Sequence, residues 1–303
     1  AFDQNGNIFA SYIDFTGFDV SPFAGGVYVS KSNDGGLTWN IPVEVISIDS
    51  DPGKMPIDRP WISIDRSSGS GQGNIFITTM NAKNAISGFN PYFIRSIDGG
   101  NSFEQWRYLD TTGWLAGFFI PQPMPTSTVS SDGIFYAVYP SLVFAQNPLA
   151  QFIVASTENA GNSFNYQSVF SATTNVTDSL AKKGYLLRAD PSLPGHIAFF
   201  YLDVPFGDID VFMRESFDGG NSWSVAIRVN DDPIANNRMQ DLLWADFDTD
   251  GDLVVSWRDR RNAPDSTYET ASAIWGTFRS HDGPAFSQNF RISDFLVPYD
   301  KIG

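Results

Sequence analysis

The chain has 303 residues, 42% of them apolar, and its 19 basic and 34 acidic side chains give a formal charge of 19 − 34 = −15. This composition excludes global disorder and a basic nucleic-acid footprint. The absence of cysteine excludes disulfides, thiolate metal sites and cysteine nucleophiles. No apolar run approaches the roughly 20 residues that a membrane span requires, so we expect no membrane span. Because a basic footprint is absent, we also expect no nucleic-acid partner.

The choice of polar residues indicates the fold class. Asp supplies 29 of the 34 acids, and Gly and Pro contribute 26 and 18 residues. All three residue types favour turns, so the composition predicts many short strands joined by many turns. An acidic, Asp-rich chain without cysteine also favours an extracellular or cell-surface location.

A turn motif of the form S/T-x-D/N-x-G-x-T/S-W/F recurs along the chain. Its copies begin at residues 32, 96, 157, 216 and 280, so the steps are 64, 61, 59 and 64 residues, and the last copy is one residue short. Glycine allows positive φ in the turn, and the Asp and Ser/Thr side chains bind turn amides. The even spacing indicates a repeat architecture.

The strands expected around the motifs keep the same period. A β-rich run precedes each motif, as at residues 92–94, and a glycine turn lies 21 to 29 residues before it, as at residues 70–71. Four strands per repeat at this period is the pattern of a propeller blade. The sequence therefore predicts one all-β propeller domain over 1–303, with blades at about 1–50, 51–112, 113–177, 178–232 and 233–303.

The five motifs resemble the Asp-box (BNR) repeats of the sialidase-like propellers, and the resemblance covers essentially the whole chain. It implies six blades, of which five are visible, so we expect a propeller that is incomplete at both ends; a closed five-blade ring is the alternative. The resemblance also implies that the boxes lie on the face away from the active site. The box aspartates are then structural: Asp34, Asp98, Asp218 and Asp282.

The opposite face should carry long irregular loops, such as residues 14–26, and the binding residues. Arg258 and Arg260 belong to a run of charged residues at a strand end, which could hold a carboxylate or sulfate. The alternative is a network of Arg–Asp pairs that braces adjacent blades. Arg59 stands where the resemblance implies a substrate-binding arginine, although the proline after it departs from the family pattern. Arg238 is a further candidate for substrate binding, and Trp114 could stack on a sugar ring.

The resemblance implies a tyrosine nucleophile activated by glutamate, with an aspartate as acid/base. Tyr268 and Glu269 are the candidates for the first two roles, and Asp14 or Asp19 for the third. Neighbouring residues of an extended segment point in opposite directions, which makes the pairing of Tyr268 with Glu269 awkward. A two-carboxylate glycosidase stays open, with a choice of aspartates on the same face: Asp203, Asp208, Asp210 and Asp241.

Residues 246–252 read D-F-D-T-D-G-D, which resembles the start of a calcium-binding loop. The twelfth position is Trp257 instead of glutamate, so an acidic hairpin is the alternative. The calcium ligands would be Asp246, Asp248, Asp250 and Asp252, and no other cofactor is expected. The two histidines, His196 and His281, fall at turns of the box face and predict neither histidine catalysis nor zinc.

Two functions follow from these patterns. The first is an exported, non-catalytic propeller that binds carbohydrate or another extracellular polymer, or joins other subunits of a surface assembly. The second is a glycoside hydrolase of the sialidase type, which cleaves terminal acidic sugars; a polysaccharide lyase ranks third because no histidine base is evident. Arginines that converge on one point favour the hydrolase, whereas arginines that each pair with a neighbouring aspartate favour the binding protein.

Overall fold

The computed structural model describes residues 1–18, 21–81, 90–110, 124–141, 151–171, 184–264 and 271–297. Within these ranges the chain forms strands and turns and no α-helix, which confirms the all-β class. The described part of the chain therefore holds no long apolar helix of the kind that could cross a membrane. Contacts between Cα atoms divide the chain into two compact units, Ala1–Ala181 and Lys182–Gly303.

The first unit contains three antiparallel sheets, the first with three strands and the other two with four. The first sheet consists of β1 (Ile8–Phe18), β2 (Ser21–Ser32) and β3 (Val43–Ser47). The second consists of β4 (Asp58–Ile64), β5 (Ile75–Met80), β6 (Tyr92–Ser96) and β7 (Arg107–Tyr108). The third consists of β8 (Thr126–Val129), β9 (Phe135–Ser141), β10 (Gln151–Thr157) and β11 (Asn165–Ser171).

The second unit contains two four-stranded antiparallel sheets. The fourth sheet consists of β12 (Tyr185–Ala189), β13 (Ile197–Asp203), β14 (Asp210–Ser216) and β15 (Ile227–Arg228). The fifth consists of β16 (Gln240–Phe247), β17 (Leu253–Asp259), β18 (Ala273–Arg279) and β19 (Phe290–Arg291). In all five sheets the strands lie in sequence order, which is the strand order of a propeller blade.

Residues 14–26 differ from the sequence expectation. Instead of an irregular loop, the ends of β1 and β2 form a long hairpin in which Asp14 pairs with Gly26 and Phe15 with Gly25. Gly25 has a φ of 126°, and a Cβ there would lie 2.3 Å from the Asp14 carbonyl oxygen. The two arms approach this closely because glycine has no side chain, and β1 continues because Phe15 and Thr16 favour strands.

Four of the turn motifs fold into the same hydrogen-bonded turn. In the first, Asp34 Oδ1 accepts from Ser32 Oγ at 2.8 Å and from the Thr38 amide at 2.9 Å, and Oδ2 accepts from Thr38 Oγ1 at 2.5 Å. Equivalent bonds recur in the other three, with asparagine in one of them: Asp98, Asn159 and Asp218. These hydrogen bonds lower the pKa of the carboxyl groups of Asp34, Asp98 and Asp218 to about 2. In the first motif the bonds from Thr38 lower it most.

The last motif forms a different turn. Asp282 is exposed, and its carboxylate pairs with Nε2 of the neighbouring His281 at 3.2 Å. His281 Nδ1 also lies 3.1 Å from Asp252 Oδ1, which belongs to the preceding hairpin of the same sheet. The motif is one residue shorter than the others, so the spacing that lets the aspartate reach an amide four residues later is lost.

The core of the first unit is formed between successive sheets. Ile75 and Ile77 of β5 pack in one cluster with side chains of the first sheet, such as Val27 and Val29. Phe76, on the other face of β5, packs with Phe135 of the third sheet at a ring-centroid distance of 4.8 Å. Because side chains alternate along a strand, a single strand can serve two cores, and all of β5 is buried.

Polar bonds also join successive sheets in both units, as between Trp61 Nε1 and the Ser127 carbonyl, 2.9 Å apart, in the first unit, and between Arg188 and Ala245 in the second. Arg188 of β12 is buried, and its Nε donates to the Ala245 carbonyl of β16 at 2.9 Å. Trp257 of β17 is fully buried, and its Nε1 donates to Asp259 Oδ2 at 2.7 Å. These buried polar groups all have partners, as burial without a hydrogen bond would be costly.

Candidate functional site

Polar side chains gather at one end of the fourth and fifth sheets, where β14 and β16 begin and β15 and β17 end. They include several of the residues that the sequence singled out. We call this group the strand-end cluster, which consists of Asp210, Arg228, Asn230, Asp231, Asp232, Gln240, Asp241, Arg258, Asp259, Arg261 and Asn289.

Arg228 stands between two buried carboxylates. Its Nε and Nη2 donate to Asp210 Oδ1 at 2.9 and 2.6 Å, and its Nη1 donates to the Asp232 carbonyl at 2.6 Å. Asn230 Nδ2 also donates to both aspartates, at 2.6 and 2.7 Å. Asp210 and Asp232 are only 1% and 5% exposed, so Arg228 compensates charges that water cannot solvate.

Arg258 is paired in the same way. Its Nε donates to Asp241 Oδ1 at 2.5 Å, and its Nη2 donates to the second oxygen of the same carboxylate. The two residues face each other across β16 and β17, so the pair braces neighbouring strands of one sheet. Arg258 is 4% exposed and Arg260, two residues on, is 3% exposed. Neither guanidinium is presented to solvent.

Arg261 binds three partners and stacks on an aromatic ring. Its Nε donates to Asp259 Oδ2 at 3.0 Å, and its Nη1 donates to Asp231 Oδ1 at 2.6 Å. Its Nη2 donates to Asn289 Oδ1 at 2.9 Å, and its guanidinium carbon lies 4.2 Å from the Trp275 ring centroid. Burial alone would lower the pKa of Arg261, but the hydrogen bonds that it donates to Asp259 and Asp231 leave it raised. Burial raises the pKa of Asp259.

The other two predicted arginines lie in different settings. Arg238 is half-buried, and its main-chain N donates to Asp208 Oδ2 at 3.1 Å while its carbonyl accepts from Gln240 Nε2 at 2.6 Å. Arg59 lies in β4 of the first unit with a φ of 49°, at a bulge before Trp61. Leu242 has the same φ at the matching bulge of β16, so one backbone feature recurs with two different side chains.

The predicted catalytic set falls largely outside the described residues. Tyr268, Glu269, Asp19 and the sugar-stacking candidate Trp114 all lie there. Asp14 is exposed on β1. Of the alternative pair of carboxylates, Asp210 and Asp241 are bound to Arg228 and Arg258 as described above, and Asp208 is 9% exposed. Asp203 faces Asp210 across β13 and β14, and its Oδ1 accepts from the Val204 amide at 2.8 Å.

The acidic segment 246–252 forms the turn between β16 and β17. Asp248 Oδ1 accepts from the amides of Asp250 and Asp252 at 3.0 and 2.9 Å, which closes the turn without a metal. Among the residues that the structure describes, no three carboxylate or imidazole groups come together as a metal site. Asp246 instead lies 3.5 Å from Arg188 Nε, so the four aspartates are not gathered at one point.

A groove of about 410 Å³ runs beside the strand-end cluster, inside the second unit. One wall is β15 with the residues that follow it, and the other is the last turn motif. We call it the β15 groove; it is lined by Ile227, Arg228, Val229, Asn230, Asp231, Arg279, Pro284, Ala285, Phe286, Ser287 and Asn289. Its lining mixes aliphatic and aromatic side chains with a few polar groups, as is usual for ligand sites.

The sequence analysis did not predict a second group of charged side chains, which lies at the end of the fourth and fifth sheets opposite the strand-end cluster. His196 is buried, and its Nδ1 and Nε2 lie 2.8 Å from Asp190 and 2.9 Å from Glu215. Both oxygens of Glu215 also accept from Arg279. Burial would raise the pKa of Glu215, but the bonds from Arg279 and His196 lower it to about 2. Burial would lower the pKa of His196, but its two carboxylate partners leave it raised.

One sequence signal could have predicted part of this second charged group. Glu215 and Arg279 each stand immediately before a turn motif, at the same position of successive repeats, and their charges are opposite. Equivalent positions of neighbouring sheets lie close together in a repeat structure, so opposite charges there predict an ion pair. His196 and Asp190 carry no such signal, because they flank a turn without a fixed motif.

Comparison with known proteins supports the fold only. No protein-family model and no curated protein sequence matches the chain. A solved intramolecular trans-sialidase from Ruminococcus gnavus matches with a TM-score of 0.57 and 11% identity, covering 97% of this chain and 82% of that one. An α-L-arabinofuranosidase from Fusarium graminearum matches with a TM-score of 0.55 and 11% identity, covering 100% and 92%.

The NanB sialidase from Streptococcus pneumoniae matches with a TM-score of 0.57 and 10% identity. The match covers 97% of this chain but 60% of NanB, so the chain spans less than two thirds of that protein. These matches extend over nearly the whole chain and show a propeller-like all-β fold. At such identities they do not show which residues act, because one fold hosts many activities.

Proposed function

We propose that this protein is an extracellular propeller-type protein that binds carbohydrate or another surface polymer without cleaving it. The observation that carries the proposal is the pairing of the strand-end arginines. Arg228, Arg258 and Arg261 each hold a carboxylate of the same unit at 2.6 Å or closer. This is the arrangement expected of a braced scaffold, and it leaves these guanidiniums committed before any ligand arrives.

Energetics explain why the paired arginines do not serve an acidic sugar. To bind a ligand carboxylate, Arg258 would have to release Asp241, which is largely buried and would lose its compensating charge. Breaking a buried pair in this way costs about 3 to 5 kcal/mol. The charge of −15 adds repulsion of an anion. A hydroxyl-rich, uncharged ligand meets neither obstacle.

The carbohydrate class is supported by the solved structures that share the fold. They are described as a sialidase, a trans-sialidase and an arabinofuranosidase, which are proteins that act on sugars. Location outside the cell is supported by the acidic, Asp-rich composition, and a role in a surface assembly with other subunits fits the same feature.

A glycoside hydrolase of the sialidase type is the second candidate, and the two sialic-acid enzymes among the matches favour it. Its chemistry would require Tyr268 with Glu269 as nucleophile and activator, and Asp14 or Asp19 as acid. Binding of the acidic sugar would fall to Arg59, Arg238 and Arg258 or Arg260.

The deciding experiment measures turnover and binding on the same intact protein. Fluorogenic glycosides, including a sialoside, are incubated with and without calcium, and the protein is applied to a glycan array. We expect no turnover of any of the glycosides, and we expect the protein to bind glycans on the array. The matched variant replaces the pair Arg258 and Asp241 by Met and Leu, which removes both charges without leaving one unpaired. Turnover that this variant abolishes while staying folded would establish the hydrolase instead.

A further inference from the structure

We infer that the β15 groove is a binding site for a neutral saccharide. The inference rests on the proposed function and names its site and ligand class. The groove is set between two sheets of one unit, with the last strand of the fourth sheet on one side and the irregular last turn motif on the other. That motif is one residue short, so this wall of the groove differs in sequence from the turn motifs of the other repeats.

The size and lining of the β15 groove fit a sugar. A volume of about 410 Å³ falls within the range of small-ligand sites, roughly 300 to 1,000 Å³. Ile227 and Val229 form an aliphatic surface, and Phe286 supplies an aromatic ring. The Arg279 guanidinium lies over that ring, 5.5 Å from its centroid, so a sugar would stack on the remaining face.

The charges around the β15 groove disfavour an anionic ligand. Arg279 is bound by both oxygens of Glu215, and Arg228 by Asp210 and Asp232. Asp231 lines the groove and is bound to Arg261. The ion pairs that involve lining residues thus contain three guanidiniums and four carboxylates, a balance of 3 − 4 = −1. A phosphate, sulfate or sugar acid would find no uncommitted positive charge in them.

The polar groups that remain are suited to hydroxyls. The Asp231 side chain is 41% exposed, and each of its oxygens accepts one bond, from Arg261 Nη1 and from the Asn289 amide. A carboxylate oxygen has a second lone pair, so Asp231 can accept from a sugar hydroxyl while it keeps both bonds. Ser287 is half-buried in the lining, but its hydroxyl already accepts from the Phe278 amide at 3.2 Å and donates to the Gln288 carbonyl at 3.3 Å, so Asp231 supplies the polar contact.

The test titrates the intact protein with defined disaccharides. The probes are lactose, maltose and cellobiose as neutral sugars and 3′-sialyllactose as the acidic counterpart of lactose, followed by saturation-transfer NMR and calorimetry. The variants are Ala285→Trp, which fills the β15 groove from an exposed position, and Phe286→Ala, which removes the stacking ring. Trp39→Ala is the matched control, because it alters the equivalent turn-motif aromatic in the first repeat.

We expect at least one neutral disaccharide to bind, to bind more tightly than 3′-sialyllactose, and to lose about tenfold or more in affinity in both groove variants. Trp39→Ala should bind as the wild type does. Unchanged affinity in folded Ala285→Trp protein would overturn the site while leaving carbohydrate binding intact. Preference for sialyllactose over lactose would overturn the ligand class. If the protein bound no glycan on the array, this inference would be overturned together with the carbohydrate part of the proposed function.

Discussion

The regular turn motifs and the strand-end cluster both depend on aspartates, but they use them in opposite ways. In the motifs each carboxylate binds partners two to four residues away, and it stays exposed. In the cluster some partners are close in sequence, but others lie far apart: 17 residues separate Arg258 from Asp241 and 30 separate Arg261 from Asp231. The motif shapes a turn, whereas the cluster holds strands and sheets together.

This difference decides how strongly each region affects stability. Water competes for the exposed motif bonds, and losing one leaves a carboxylate that water can solvate again. In the cluster, loss of Arg228 removes the charge that compensates two carboxylates that are only 1% and 5% exposed, Asp210 and Asp232. Mutations in the two regions should therefore differ in effect several-fold, although both remove hydrogen bonds to aspartate.

The largest effect is expected for Arg228→Ala. It leaves Asp210 buried without its positive partner and Asp232 with only Arg261, at 3.6 Å, and we expect a loss of about 3 to 5 kcal/mol in the free energy of unfolding, measured by urea denaturation. The matched control is Arg291→Ala, an exposed arginine of β19, which should change stability by less than about 0.5 kcal/mol. Equal effects of the two variants would show that the cluster does not act as a buried network.

A smaller and pH-dependent effect is expected at His196. Its pKa is raised in the folded state, so its contribution is complete below about pH 6.5 and is lost as pH rises through the folded pKa. Glu215 has a pKa of about 2, so its contribution is complete above about pH 4.5 and is lost as pH falls towards 2. The two together should stabilise the fold most between these limits.

The measurement is the melting temperature of the wild type and of His196→Gln from pH 3 to 9. At pH 6 the free energy of unfolding of the variant should be about 2 kcal/mol lower, since the charged hydrogen bonds to Asp190 and Glu215 disappear. The difference in melting temperature between the wild type and His196→Gln should narrow as the pH rises above 6.5. A gap that stays constant across this range would mean that His196 does not titrate in the folded protein.

The same contrast explains what could be predicted from the sequence. The strand number per repeat and the turn positions depend on residues a few places apart, so the period and the glycines were enough to predict an all-β fold of repeated sheets. The partner of Arg258 depends on the pairing of β16 with β17, and the partner of Arg261 depends on how two sheets meet, so the sequence left two alternatives open at that point. The β15 groove was not predicted because it depends on how β15 and the last turn motif pack together, which the repeat pattern does not specify.

The smallest effect is expected for an exposed motif aspartate. Asp98→Ala removes bonds to Ser96, Asn101 and Ser102, and we expect a loss of about 1 kcal/mol, measured by urea denaturation at pH 7. Asp98→Asn should lose less than half as much, because Asn159 already makes the equivalent bonds in the third motif. The aspartate protein should also lose stability between about pH 4 and 2, as its carboxyl group is protonated, while the asparagine variant shows no such step at this site. If asparagine proved as damaging as alanine, the negative charge itself, and not the hydrogen-bonded turn, would be what the motif requires.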